Sequence, residues 1–329
     1  MSSEWAYKIP FALQWVWPVP LIIGIYLAPE SPWWLVRKKR TEDARHVVRR
    51  LISSGSEAEI EEEVENTVAM MVHTDKIENE MNSTSSYIQC FKGVDLRRTE
   101  IAVITYTIQE LCAPLVGNST YFLEQAGLPT VDSFDFTIGQ YCLAIVGVFI
   151  AWYMVKLVGR RTLFLSGVWF TTFTLLLIGF LGIPKMETHK NLAWGIGSIL
   201  LIEYFVFFIT VGPVVYTIVS EIPSNHLRSK TIVLARAVYN VAALVYGQLV
   251  PRMVQQASWN WGAKSGFFYG GILFISLIWA IFRLPETKGR TFAEMDILFM
   301  NKVPARKFAS MAVDIGTEEV REKNEEQAN

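Results

Sequence analysis

Gln109 and Glu110 stand side by side in an apolar run just before Cys112-Ala113-Pro114, and Glu203 interrupts a later run. Polar groups set in long apolar stretches mark either a binding pathway or a hydrogen bond between helices. An amide both donates and accepts, so Gln109 can serve a ligand or a neighbouring helix. A carboxylate so placed is costly when ionised and is neutral, paired or in a wet cavity; Glu110, beside the amide, can take up a proton. Asn118, Gln140 and Asn240 are further amides in or at the ends of apolar runs, and Arg236 lies one turn before Asn240, where snorkelling or pairing is expected. At ~100° per residue Glu203 falls roughly 140° around the helix from Tyr216, so a protonated, packing Glu203 is expected, while Phe205, Ile209, Gly212 and Tyr216 share a face.

That chemistry is binding and proton uptake, not catalysis. No nucleotide-binding glycine loop or nucleophile with a base at working spacing is present. His46, His73, His189 and His226 fall in loops or at span ends without zinc-like spacing, so no enzyme, metal or cofactor is expected. Cys90, Cys112 and Cys142 also lack ligand spacing, and packing is expected for all three. The net charge of −1 offers no field for nucleic acid.

The elements that must position these groups are membrane helices. Of the 329 residues 51% are hydrophobic, gathered in runs that are apolar on every side. Spans are expected at Ile9–Leu27, Ile101–Phe122, Phe136–Val158, Thr162–Ile183, Leu192–Val219, Thr231–Val250 and Ser265–Leu284. Residues 36–98 read as a loop of two or three short surface helices rather than a separate domain, with Ser56 and Glu59 as a capping box. Residues 285–329 form a tail whose charged end, from Thr317, is expected to stay disordered. Basic residues cluster at 37–50, at Lys156, Arg160 and Arg161, at Arg228 and Lys230, and at Arg283, Lys288 and Arg290. The positive-inside rule makes those loops and the C-terminus cytoplasmic. No cleavable signal peptide is expected at Met1 to Lys8, and an odd number of spans then leaves the N-terminus outside.

The stretch from Gly212 to Lys230 organises the chain. Pro213 frees a carbonyl one turn earlier, which hydrocarbon tolerates only beside protein or a wet cavity. Glu221, Arg228 and Lys230 then follow where the apolar run stops. A helix broken at its Gly-Pro pair and ending in charge suggests a moving part beside a cavity.

Four motifs occur in order: Pro29-Glu30-Ser31-Pro32, Gly159-Arg160-Arg161, Gly212-Pro213 with Ser220-Glu221-Ile222, and Pro285-Glu286-Thr287-Lys288-Gly289-Arg290-Thr291. Together they resemble the sugar porter family of the major facilitator superfamily. Ile9 to Trp15, Ser119 to Phe122, Gly139-Gln140-Tyr141 and Thr231 to Arg236 are closest to fungal α-glucoside (maltose-type) permeases. The resemblance implies an all-α polytopic membrane protein: the C-terminal six-helix half of a major facilitator fold, residues 99–284, plus one preceding transmembrane helix, residues 9–27, matching the family's sixth. Met1 then corresponds to an internal methionine of a longer protein.

The resemblance implies alternating-access transport of an α-glucoside or hexose, with a proton as coupling ion, in the plasma membrane; this segment alone is expected to be inactive. A missing N-terminal half or a full-length paralogue would be its partner. The alternative is a non-transporting sugar sensor or a truncated membrane interaction protein. Gln109 matches the family's Gln-rich sugar-binding motif, and Tyr216 stands where a sugar-stacking Trp is usual. Glu110, Asn118, Gln140 and Asn240 complete the expected substrate set. Glu30, Arg160, Arg161, Glu221, Arg228 and Glu286 are expected to form a cytoplasmic charge latch, or else solvated pairs that fix topology. Lys156 replaces an acid common before Gly-Arg-Arg, which removes one expected ion pair.

Overall fold

The computed structural model describes residues 5–52, 56–84, 86–113, 115, 119–125, 128–184, 190–224, 226–255, 257–314 and 319–322. Contacts divide it into Met1–Thr84 and Ser85–Asn329.

The first unit begins with α1 (Trp5–Leu13) and α2 (Pro18–Leu27), separated by a 3₁₀ turn at Gln14–Val16. The expected first span is therefore interrupted, and its apolar stretch Phe11–Leu27 is shorter than a full crossing helix. Pro18 and Pro20 supply the reason, since each lacks the N–H that a continuous helix needs. Most of its large side chains, Trp15, Trp17 and Tyr26 among them, are exposed.

Next come α3 (Pro32–Arg37), α4 (Thr41–Leu51) and α5 (Glu57–Thr84). The capping box forms, with the Ser56 N–H donating to Glu59 at 2.8 Å. The expected short surface helices are in fact one short helix and one of 28 residues. They share a small core of Leu35, Val36, Ala44, Val48, Val64 and Val68. Arg45–Glu65 at 2.8 Å and Arg49–Glu61 at 3.2 Å link α4 to α5 outside that core.

The second unit is the bundle. After a 3₁₀ turn at Tyr87–Phe91 capped by Ser86 come α6 (Gly93–Leu111), α7 (Ser119–Gln125), α8 (Thr130–Leu157), α9 (Arg160–Leu181), α10 (Lys190–Ile209), α11 (Val211–Glu221), α12 (Arg228–Val254), α13 (Ser265–Arg283) and α14 (Phe292–Met300). Five helical stretches among the described residues are long and apolar enough to cross a membrane: Thr130–Leu157, Arg160–Leu181, Leu192–Glu221, Arg228–Val254 and Gly262–Arg283. The helix expected at Ile101–Phe122 is shifted: α6 starts at Gly93, ends at Leu111 and carries Asp95, Arg97, Arg98 and Glu100 in its first two turns. Tertiary partners make that possible, because Arg98 pairs with Asp296 and Glu100 with Arg283.

Small residues set the closest helix approach, as expected where lipid gives no hydrophobic drive for association. At Gly266, on α13, an added Cβ would lie 2.4 Å from the Leu175 carbonyl oxygen of α9. Cys90 and Cys112 are buried, but Cys142 is exposed on α8, so packing does not hold it. The tail also departs from expectation. Met311–Asp314 (β1) pairs antiparallel with Glu319–Glu322 (β2), Val313 opposite Val320. Arg290 anchors the hairpin by donating to the carbonyls of Phe308 and Met311.

Candidate functional site

The apolar run through Gly212 and Pro213 breaks at Thr210, three residues before the proline, where the backbone turns to φ −113°, ψ −82°. Two causes coincide. A proline ring crowds the carbonyl of residue i−4, here Ile209, so Pro213 fits only in the first turn of a new helix. The Thr210 hydroxyl also donates back to the Val206 carbonyl at 2.7 Å, which bends helices.

A cavity of about 500 Å³ opens beside this break. α6 contributes Gln109, Glu110 and Ala113; α10 contributes Tyr204, Phe207 and Phe208; α11 contributes Gly212, Pro213 and Tyr216; Val148 of α8 and Tyr239 of α12 close it. Gln109 is 7% exposed and donates through Nε2 to the Gly212 carbonyl at 2.8 Å. Its Oε1 is buried without a hydrogen-bond partner among the described residues. Glu110 and Tyr239 face the same cavity from α6 and α12. Tyr106 packs edge-on against both Tyr216 and Tyr239, each at 5.8 Å, while the Arg236 guanidinium lies 4.3 Å over the Tyr239 ring.

Of the expected substrate set, Gln109, Glu110 and Tyr216 therefore meet in one cavity. Gln140 does not line it; the side chain is 2% exposed within the bundle. Asn240 is exposed and also absent from the wall, where its neighbour Tyr239 stands instead. Asn118 lies outside the described residues. The expected shared face of Phe205 and Ile209 is also displaced. Tyr204 and Phe208 continue through Gly212 to Tyr216 in steps of four residues, and that series was the available signal. Glu203 is 1% exposed beside Cys112, away from the cavity wall, and neither carboxylate oxygen has a partner among the described residues.

At one end of the bundle the charged motifs converge. Arg160 pairs with Glu221 at 3.3 Å, joining the start of α9 to the end of α11. Glu286 acts through backbone donors: its Oε1 accepts from the N–H groups of Arg160 at 2.9 Å and of Thr287 and Lys288 at 3.1 Å each. Gly159 makes room for it, since a Cβ there would lie 2.1 Å from Glu286 Oε2. Arg161 donates to the Ile281 carbonyl at 2.8 Å, and Lys288 to the Leu157 carbonyl at 2.7 Å. Arg228 is placed over the Phe292 ring at 3.8 Å. Glu30 belongs to the first unit, where it is exposed.

A broken helix, an aromatic cavity with a few polar groups and a charge cluster at one bundle end thus meet in a bundle whose longest helices can cross a membrane. The model of the family described as "Sugar (and other) transporter" matches residues 1–299, and the chain belongs to that family. It is 46% identical over 315 residues to the general alpha-glucoside permease of Saccharomyces cerevisiae, covering 95% of this chain and 50% of the permease. The maltose permease MAL61 of the same organism is 45% identical over 316 residues, with 95% and 51% covered. The chain thus spans about half the length of the curated relatives it matches.

The fold is that of the proton:xylose symporter XylE, a major facilitator superfamily protein solved with 6-bromo-6-deoxy-D-glucose bound, with TM-score 0.68, 20% identity, and 91% of this chain and 61% of that one covered. The inward-open form of XylE from E. coli gives a TM-score of 0.61. The architecture is accordingly all-α and integral to the membrane: a C-terminal major facilitator half with one preceding apolar segment. The similar proteins are permeases and transporters, not enzymes.

Proposed function

We propose that this chain forms the C-terminal half of a proton-coupled α-glucoside transporter of the plasma membrane, with its basic loops and C-terminus in the cytoplasm. The observation that carries the reading is Gln109, whose Oε1 is buried without a partner among the described residues at the wall of a cavity of about 500 Å³. A sugar hydroxyl supplies the missing donor, and the aromatic wall offers Tyr216 for the C–H face of the ring. Such a wall, mostly apolar with a few polar groups, is what small polyol ligands need. Glu110, a carboxylate lining the same cavity as Tyr239, is the proton acceptor in this reading. Support for the substrate class comes from the permeases that the sequence resembles, and support for the proton from the XylE symporter that shares the fold. Because relatives are about twice as long, transport is proposed for the assembled protein and not for this segment alone.

A chimera tests this directly. Residues 1–299 would replace the matching segment of the Saccharomyces cerevisiae general alpha-glucoside permease in a transporter-null yeast. Uptake of radiolabelled maltose above the empty-vector control, acidification-dependent, is expected. A chimera that reaches the cell surface and takes up no α-glucoside would overturn the reading.

A further inference from the structure

A second pocket, of about 600 Å³, lies at the basic end of the bundle, between the first turns of α6, the last turn of α13 and the end of α14. Its wall carries Arg97, Arg283 and Lys302 with Phe282 and Phe299. Glu100 answers Arg283 through both guanidinium arms. Arg97 and Lys302 have no ion pair among the described residues. Arg97 instead donates to the Val303 carbonyl at 3.0 Å, lies 5.3 Å from the Phe299 ring, and leaves Nε buried without a partner among the described residues. Burial and the neighbouring Arg283 cation push its guanidinium below the ordinary value, with Glu100 opposing. Arg306 adds a further cation at the rim, 4.1 Å over the Phe282 ring.

The backbone at Lys302 is a second, independent sign. The chain leaves α14 with Val303 N–H donating to Leu298 and Lys302 N–H to Phe299, which puts Lys302 in the left-handed region at φ 53°. Glycine is the usual residue at that position because a Cβ is disfavoured there. Here a lysine occupies it at the pocket wall.

We propose that this pocket binds the phosphate-bearing headgroup of an anionic membrane phospholipid. Arginine forks suit phosphate oxygens, and basic pockets at the ends of membrane helices attract such headgroups. A lipid is favoured over a free phosphate by what adjoins the site. Phe274, Ile278 and Phe282 follow one another along α13, are 53%, 45% and 59% exposed, and lead to the pocket wall. That apolar track suits an acyl chain and offers nothing to a soluble anion.

Native mass spectrometry, in detergent, of a chimera in which residues 1–329 replace the matching segment of the Saccharomyces cerevisiae general alpha-glucoside permease would test it. The probes are dioleoyl-phosphatidylserine and dioleoyl-phosphatidylcholine, each with and without excess inorganic phosphate. Wild type should retain the serine lipid preferentially, and excess phosphate should not displace it. Arg97→Gln and Lys302→Gly should each reduce retention about fivefold, and Arg252→Gln, a basic change near the other end of α12, should not. Lys302→Gly carries the test should Arg97→Gln fail to fold, because glycine favours the native backbone there. Equal retention of the two lipids, or retention indifferent to Lys302→Gly, would exclude the site. Displacement by phosphate would make it a soluble-anion site and overturn the lipid assignment.

Discussion

Gln109 Nε2 on α6 donates to the carbonyl oxygen of Gly212 on α11 at 2.8 Å, across the mouth of the helix break. The bond does two things together. It fixes the amide so that Nε2 faces protein while Oε1 has no partner among the described residues, and it ties the second half of a divided span to a neighbouring helix. The interhelical bond expected of this residue is thus present, and sugar binding by the same side chain is the proposal made above.

Removing that amide should affect sugar affinity more than assembly. In the maltose-transporting chimera, Gln109→Ala is expected to raise the apparent KM about fivefold, the equivalent of roughly 1 kcal/mol for one hydrogen bond. Gln109→Glu should also weaken affinity, because the donor to Gly212 is lost. Unchanged KM for both variants, with normal surface expression, would remove Gln109 from the site.

Gly159→Ala is expected to destabilise the charged end of the bundle. The new methyl would occupy the place of the Glu286 carboxylate, which then leaves the N–H groups of Arg160, Thr287 and Lys288. A loss of about 1–3 kcal/mol is expected, comparable to that of Glu286→Ala, and the double variant should be far from additive. Thermal unfolding in detergent of the two single variants and the double variant measures the coupling.

Gly266→Ala should act on packing alone. Its Cβ would meet the backbone oxygen of Leu175, an atom that cannot rotate away. Separation of α13 from α9 and a stability loss of about 1–3 kcal/mol are expected. A thermal midpoint equal to wild type would show that the two helices do not approach so closely.

Thr291 and Glu294 provide a test in pH. The two form a capping box at the start of α14, with the Thr291 N–H donating to Glu294 at 2.7 Å. Burial alone would raise the Glu294 carboxyl, but the Thr291 N–H and hydroxyl and the Arg290 guanidinium outweigh it and hold the carboxyl below the usual range. A lowered value stabilises the fold above the unfolded-state pKa of about 4.3, and that contribution fades as pH falls through the folded value. Thr291→Ala should cost about 1 kcal/mol near neutrality and flatten the acid limb of stability between those two values. Amide exchange across residues 292–300 as a function of pH reads both effects.

Much of this was legible in the chain. The capping box at Ser56 and Glu59 forms as its spacing requires, and five of the seven expected apolar runs become helices long enough to cross a membrane among the described residues. Arg160, Glu221 and Glu286 meet although 61 and 126 residues separate the bonded pairs. Rotation of the helices was not legible. A helix that is apolar all round has no polar face to fix its phase, so Asn240 and Gln140 point elsewhere while Tyr239 faces the cavity. The position of the break was also hidden, because Pro213 excludes the preceding turn and Thr210 decides where the chain bends. The hairpin of 311–314 with 319–322 depends on Arg290, more than 20 residues from its first ladder pair's far partner, and no local composition announces it.

The joint at Thr210 has a mechanical consequence. α11, of 11 residues, is a stiff rod roughly 16 Å long, held to Gln109 near one end and to Arg160 at the other. Pivoting it by about 10° would swing the Glu221 end through about 3 Å, on the scale of the bond it makes there. A small displacement at the cavity would thus be magnified along a lever arm to the scale of the contact at the far surface, with no bending of the helix itself.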